Sequence, residues 1–361
     1  MKDEQILKQL RDNIDRIDDE ILRLLNERMG YVSRIGEVKQ TSGTAIYRPE
    51  RERQILKRLN SKSTVLNYSA IEAIYLEIFA VSRNLEMPQK VAYLGPEGTY
   101  THQAAESRFG AMSAYLPLAS IEAIFTKLSQ KEVKYGVVPI ENNTEGAVGI
   151  TLDCLRRFDD VKIIAELYLD IHHSFATKAE SLDDIKVIYS HPQGYNQCRK
   201  FLEDHLLSGV KFIATQSTAQ AAQMASNEQG AAAICSKIAA KINNLPILFE
   251  TIEDNMANRT RFFVLSDFKN QPSRNCKTSI MAITDHRPGG LVELLEMFRD
   301  ENINLTKLES RPVKQLEFKY VFYIDFDGHI DDSNVMRVLS EARENGIEIK
   351  WLGSYQKGDG K

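Results

Sequence analysis

The chain has 361 residues, enough for two or three domains with sizeable cores. With 43% hydrophobic residues, 27% charged and a formal charge of -4, it has the balance of an ordinary globular protein and lacks the basic excess expected of a nucleic-acid binder. No run of about 18 apolar residues exists to span a membrane, and four widely spaced cysteines without a C-x-x-C pair suggest neither a disulfide framework nor a zinc site.

The opening MKDEQILKQLRD lacks the apolar stretch of a signal peptide, so a reduced, cytoplasmic setting is expected. Residues 1–88 are helical by period. Leu7, Leu10, Ile14, Ile17, Ile21, Leu24, Arg28, Tyr31, Ile35 and Val38 recur at 3-4-3-4 spacing, the seam of a long packed helix. From Leu7 to Val38 it would run roughly 48 Å, whereas so small a domain is only about 30 Å across. A partner helix is implied, most simply from a second copy of the chain.

Arg28 and Lys39 share one helix face, while Arg11 lies about 100° round and does not easily converge with them within one chain; from an antiparallel partner it could. On spacing alone, Arg28 in the seam suits either a ligand or a structural ion pair. Ser42 and Gly43 end the helix, and Pro49 opens a second with Arg51 and Glu52 in its first turn. A third carries Ile71, Ile74, Ile78, Val81 and Leu85 at the same spacing, with Ser82 and Glu86 one turn apart.

Residues 90–268 alternate apolar strands with helical patterns, predicting an α/β domain with largely parallel strands and two lobes around a cleft. Polar clusters flank these strands. GPEGTYTHQAA sets Thr99, Tyr100 and Thr101 at a turn opening a helix, where capping or carboxylate binding would each use such groups. VVPIENNTEG supplies Glu141 and Asn142, and YSHPQGYNQC supplies Ser190, His191, Gln193, Gln197 and Cys198. ATQSTAQAA brings Ser217 and Thr218, and NRTRFFVL brings Thr260, Arg261 and Phe262. Loops at strand ends are where α/β domains bind ligands. His172 and His173, as strand neighbours, would face opposite ways, which favours a structural role over a metal site.

After the linker KNQPSRN, residues 276–361 read strand, helix, strand, strand, helix, strand, the ferredoxin-like βαββαβ plan. Topology alone fits a plain dimerisation domain.

Residues 1–87 resemble the all-helical chorismate mutase domain, an intertwined dimer whose sites take residues from both chains. The resemblance assigns the partner's Arg11 and Arg28 to the substrate carboxylates, Lys39 to the ether oxygen and Glu52 to the ring hydroxyl, with Arg51 and Ser82 supporting. Glu86 stands where many relatives carry glutamine, and Arg48 where some carry aspartate. A Claisen rearrangement needs no nucleophile or proton transfer, only fixed cations and donors that hold the diaxial conformer and meet charge on the breaking C–O bond. Glu86 can donate to that oxygen only when protonated.

The five central clusters resemble prephenate dehydratase, with Thr260-Arg261-Phe262 matching its T-R-F motif and catalytic threonine. Prephenate loses CO₂ and its ring hydroxyl as the ring aromatises. The protein must therefore clamp carboxylates and donate to the departing hydroxide, with Thr260 as donor and Arg261 as anion partner. The last segment resembles the ACT amino-acid sensor fused to these enzymes. Gly289-Gly290-Leu291-Val292 matches G-A-L-V with one change, and Glu309-Ser310-Arg311-Pro312 matches E-S-R-P. With Asn302 these residues imply binding of L-phenylalanine.

End to end, the chain resembles the bifunctional chorismate mutase and prephenate dehydratase family of phenylalanine synthesis, a homodimer or higher homo-oligomer that uses no metal or cofactor. Two other readings remain at this point. One is a dehydratase whose first 87 residues are only a dimerisation arm; the other is a non-catalytic ligand-binding protein with the two-lobed, periplasmic-binding-protein-like fold and a sensor domain.

Overall fold

The computed structural model describes residues 2–42, 48–86, 90–285, 287–312 and 320–358. It divides into two compact units, Met1–Gln89 with Phe109–Ser113, and Lys90–Arg108 with Ala114–Lys361.

The first unit holds α1 (Lys2–Ser42), α2 (Pro49–Asn60) and α3 (Tyr68–Glu86). The expected break at Gly43 lies outside the described residues. At 41 residues, α1 is about 62 Å long, well beyond the short helices beside it. Pro49 starts α2 because its missing N–H falls where the helix has no acceptor for one. Leu56, Ile71 and Phe79 form a small core between α2 and α3. The α1 seam is not covered within the chain: Leu7, Ile14 and Ile21 remain 52%, 56% and 49% exposed.

The second unit begins with β1 (Lys90–Leu94), α4 (Tyr100–Phe109), β2 (Ala114–Leu118), α5 (Ile121–Ser129) and β3 (Tyr135–Asn142). It continues through β4 (Gly146–Ala147), α6 (Gly149–Arg157) and β5 (Lys162–Asp170). A second lobe contains β6 (Ser174–Thr177), β7 (Val187–Ser190), α7 (Pro192–Asn196), α8 (Arg199–Asp204) and β8 (Lys211–Ala214). α9 (Thr218–Ser226), β9 (Ala231–Cys235), α10 (Lys237–Ile242) and β10 (Ile247–Phe249) complete it. The chain returns to the first lobe as β11 (Arg259–Ser266).

The lobe sheets run β2-β1-β3-β11-β5, with β4 on β3, and β10-β6-β9-β7-β8. They are mixed, which corrects the expectation of largely parallel strands. β11 re-enters antiparallel between β3 and β5, and β6 runs antiparallel between β9 and β10. A chain that crosses between lobes and comes back cannot keep one strand direction. The two crossings lie side by side: the Ile252 N–H donates to His173 O at 3.0 Å and the Ile171 N–H to Asn258 O at 2.8 Å.

The C-terminal part is β12 (Cys276–Ile283), α11 (Gly290–Asp300), β13 (Leu305–Pro312), β14 (Tyr320–Asp327), α12 (Ser333–Glu344) and β15 (Glu348–Gln356). Its antiparallel sheet runs β13-β14-β12-β15. Strand alternation gives that sheet two apolar faces. Ile280, Ala282, Ile324 and Phe326 pack on α11 and α12 through Leu294, Phe298, Val335 and Val338. Met281, Val321, Tyr323 and Leu352 share a core with Phe125, Leu155, Ile163 and Phe263 of the first lobe. The two sheets therefore belong to one compact body.

Candidate active sites

Three helices of the first unit surround a pocket of about 560 Å³. Arg28 and Lys39 of α1, Arg48 with Arg51 and Glu52 of α2, and Ser82 and Glu86 of α3 all line it. The Arg28 guanidinium donates from Nη1 to Ser82 Oγ at 2.5 Å, and Lys39 Nζ lies 2.7 Å from Glu86 Oε2. Ser82 in turn donates to Ile78 O, one turn back on α3, which fixes its hydroxyl. Desolvation pulls the Arg28 pKa below its ordinary value, partly offset by Tyr75 and Glu86, and an arginine stays charged there.

Several pocket residues escaped the sequence reading. Arg58 follows Arg51 by seven positions on the same helix face, a spacing that could have revealed it. Arg83 pairs with Glu52 and donates to Phe109 O at 2.9 Å. Tyr75 and Phe79 supply apolar wall. Arg11 is not among the lining residues: it sits about 26 Å along the straight α1 from Arg28, so one chain cannot bring the two together.

In the second unit a cleft of about 330 Å³ opens between the lobes. Thr99, Asn142, His191, Gln193, Gln197, Ser217, Thr218, Thr260 and Phe262 line it, together with Tyr100, Glu145, His173 and Asn258. α4, α7 and α9 all begin there. Ser217 caps α9 by accepting from the Gln220 N–H at 3.1 Å, and His191 Nδ1 accepts from the Gln193 N–H at 3.4 Å. Helix starts present free N–H groups and positive partial charge, suited to carboxylates. Among the described lining residues there is no arginine or lysine.

The Thr260 hydroxyl is held from one side. Asn142 Nδ2 donates to Thr260 Oγ1 at 2.8 Å and to Asn258 Oδ1 at 2.8 Å. Asn142 Oδ1 is the acceptor for the N–H groups of Thr144 and Glu145 and for the Thr144 hydroxyl, which sets the amide's orientation. An oxygen that accepts so firmly is a stronger donor through its own O–H, and that proton is directed away from Asn142.

Four predicted site residues do not line the cleft, and for the two on β11 and β3 the reason is strand alternation. Successive side chains on a strand alternate between faces. On β11, Thr260 and Phe262 face the cleft and Arg261 faces the C-terminal sheet. There it pairs with Glu166 and Asp325, each at 2.7 Å, and donates to Tyr355 Oη at 3.1 Å. Desolvation acts to lower the Arg261 pKa, but Tyr355, Asp325 and Glu166 outweigh it and hold the group well above its ordinary value. Lys277 completes this buried cluster at 2.9 Å from Glu166. On β3, Asn142 faces the cleft while Glu141 turns back to Lys307 of β13 at 2.6 Å. Ser190 and Cys198 are fully buried behind the lining, and burial pushes the Cys198 thiol up.

In the C-terminal part, Gly289 takes a left-handed φ of 87° before α11, and a Cβ on Gly290 would sit 2.8 Å from Asp285 O. This close approach accounts for glycine where the related motif has alanine. Leu291 and Val292 follow on α11, and Asn302 turns the chain into β13 at φ 55°. Glu309 and Arg311 lie on one face of that edge strand and Ser310 and Pro312 on the other, Arg311 resting over Gly149.

A helical unit with a cation-rich pocket is joined to a two-lobed α/β unit whose cleft has no arginine or lysine among its described lining residues, two separate sites of opposite electrostatic character. Residues 10–87 match the family Chorismate mutase type II, and residues 91–270 match Prephenate dehydratase. Over 356 residues the chain is 42% identical to a bifunctional chorismate mutase/prephenate dehydratase of Aquifex aeolicus, covering 97% of this chain and 98% of that protein. A protein of the same description from Pseudomonas aeruginosa is 40% identical, with 99% of each covered. The crystal structure of an Arthrobacter aurescens prephenate dehydratase in complex with L-Phe superposes with a TM-score of 0.67 at 32% identity, covering 75% of this chain and 91% of that one. The chain belongs to the bifunctional chorismate mutase/prephenate dehydratase family and carries both enzyme domains.

Proposed function

We propose that residues 1–88 rearrange chorismate to prephenate, that residues 90–268 convert prephenate to phenylpyruvate, and that residues 276–361 form a ferredoxin-like ACT domain through which L-phenylalanine inhibits the second step. The carrying observation for the first step is the pocket itself, which gathers Arg28, Lys39, Ser82 and Glu86 from two distant helices. Arg28 holds a substrate carboxylate, Lys39 meets the ether oxygen, and Glu52 takes the ring hydroxyl. Fixed charges of this kind cost no reorganisation as charge builds on the breaking bond. The other carboxylate falls to the partner's Arg11 in a homodimer, in which a second α1 covers the exposed seam.

For the second step the carrying observation is the Asn142 to Thr260 hydrogen bond. Thr260, polarised by Asn142, donates to the departing hydroxide while the helix starts at Thr99 and Ser217 hold the carboxylates. The L-Phe complex of the Arthrobacter enzyme supports the effector reading. So does the glycine turn at the mouth of α11. The test is direct: purified protein is given chorismate, and chorismate loss and phenylpyruvate formation are followed with and without L-phenylalanine. Turnover of both steps, with the second suppressed by the effector, is expected; phenylpyruvate formation indifferent to L-phenylalanine would remove the regulatory role.

A further inference from the structure

His173 lies against the dehydratase cleft at 3% exposure, held at both ends of its ring. Nδ1 is 2.8 Å from the Tyr100 hydroxyl and Nε2 is 2.9 Å from Gln197 Oε1. Its main-chain N–H donates to Glu253 Oε2 at 2.9 Å, and the other oxygen of that carboxylate is 2.6 Å from His172 Nδ1. The imidazole thus joins the first lobe, through Tyr100 on α4, to the second, through Gln197 after α7.

Desolvation lowers the His173 pKa, outweighing the Gln197 hydrogen bond and the Glu253 charge, so the ring is neutral with one N–H. Burial also keeps the Tyr100 hydroxyl protonated. That hydroxyl has two acceptors in reach, His173 Nδ1 and, at 2.9 Å, His172 O. If Tyr100 donates to Nδ1, the ring proton sits on Nε2 and is given to Gln197 Oε1. In the other arrangement Nε2 would be bare against an amide oxygen, and the amide would have to turn over. It would then offer oxygen to a substrate that carries two carboxylates, in a cleft without arginine or lysine among its described lining residues.

We propose that His173 is a positioning residue of the dehydratase: the Tyr100–His173 pair fixes the Gln197 amide so that its NH₂ group, and not its oxygen, faces prephenate. This rests on the reading that Gln197 touches the substrate. His173 itself moves no proton in the reaction.

The test is a double-mutant cycle on the full chain with prephenate as substrate, the variants being His173→Phe, Gln197→Ala and both together. Each single change is expected to lower kcat/KM by roughly 10²-fold, the usual effect of one lost donor, with the double variant no worse than Gln197→Ala alone. His173→Gln keeps an N–H where Nε2 stood and is expected to recover most of the activity. It also serves if the phenylalanine variant fails to fold. Histidine ¹⁵N spectra of the unmodified protein should show the Nε2–H tautomer for the signal that His173→Gln removes. Losses that add in the double variant, no recovery with glutamine, or the Nδ1–H tautomer would each overturn the relay. Full activity in Gln197→Ala would instead overturn the substrate contact on which it rests.

Discussion

On the proposed assignment, the mutase pocket and the dehydratase cleft handle the same dianion, one as product and the other as substrate, by opposite electrostatic means. Arg28, Lys39, Arg48, Arg51, Arg58 and Arg83 line the first, while no arginine or lysine is among the described residues lining the second. The chemistry accounts for the contrast. In the Claisen step negative charge grows on the breaking C–O bond, so cations bind the transition state more tightly than the ground state. In the dehydratase step a carboxylate leaves as CO₂. A cation clamped on that group would stabilise the ground state more than the transition state, whereas helix N-termini and neutral donors bind it more weakly. Where the dehydratase unit does bury an arginine, at Arg261, it turns the charge away from the cleft.

The largest effect that would test this contrast is on stability. Arg261→Ala leaves Glu166 and Asp325 buried, with Lys277 paired to Glu166 and no cation paired to Asp325 among the described residues, a loss of about 3–5 kcal/mol, read as a lower midpoint of chemical unfolding for the second unit. Thr260→Ala, its neighbour, is expected to fold normally and to lose roughly 10²–10³-fold in prephenate turnover while mutase activity is unchanged. Arg28→Ala is the mirror image, with a similar loss of chorismate turnover and intact dehydratase activity. Mixing Arg11→Ala and Arg28→Ala subunits should return about a quarter of normal mutase activity, because each mixed dimer holds one site with both arginines. No recovery would mean that the two arginines do not meet across a dimer.

How far the sequence carried depended on the range of the interaction. Helical period was enough to put Arg28 and Lys39 on one face, and an i, i+4 count put Ser82 beside Glu86, because both relations are local. The T-R-F motif picked out β11, two of whose residues line the cleft, but treated three successive residues as one site. A strand sends neighbours to opposite faces, so with Thr260 and Phe262 at the cleft Arg261 had to lie behind it, as Glu141 does beside Asn142. That inference was available from alternation. What lay out of reach was the surface those back-facing charges meet, since Asp325, Lys277 and Lys307 come from a sheet far along the chain. His173 was equally hidden: it sits between β5 and β6, where no periodicity says which way a ring points.

Salt offers a smaller, graded test of the two electrostatic strategies. Raising ionic strength from about 0.05 to 0.5 M shortens the screening length from roughly 14 to 4 Å, which weakens attraction to fixed side-chain charges more than short hydrogen bonds to N–H groups. The KM for chorismate should rise severalfold, about 3–10, and that for prephenate by less than about twofold. Equal rises in the two constants would show that the cleft uses net charge after all.

Acid separates the two units by a different route. None of the seven histidines falls in Met1–Gln89 or Phe109–Ser113. In the second unit both His102 and His173 are buried, and desolvation lowers the pKa of each below the ordinary imidazole value. A base whose folded pKa is depressed contributes stability that is fully present above its unfolded value, about 6.5, and is lost as pH falls through and below it, because the unfolded chain then binds protons that the folded chain refuses. The thermal midpoint of the second unit should therefore fall by about 2–4 °C for each kcal/mol lost between pH 7.5 and 5.5. His173→Gln removes one of the two refusals and should make that slope shallower, leaving the mutase helices without any histidine term to respond. A slope unchanged by the substitution would mean that His173 takes up its proton as readily folded as unfolded.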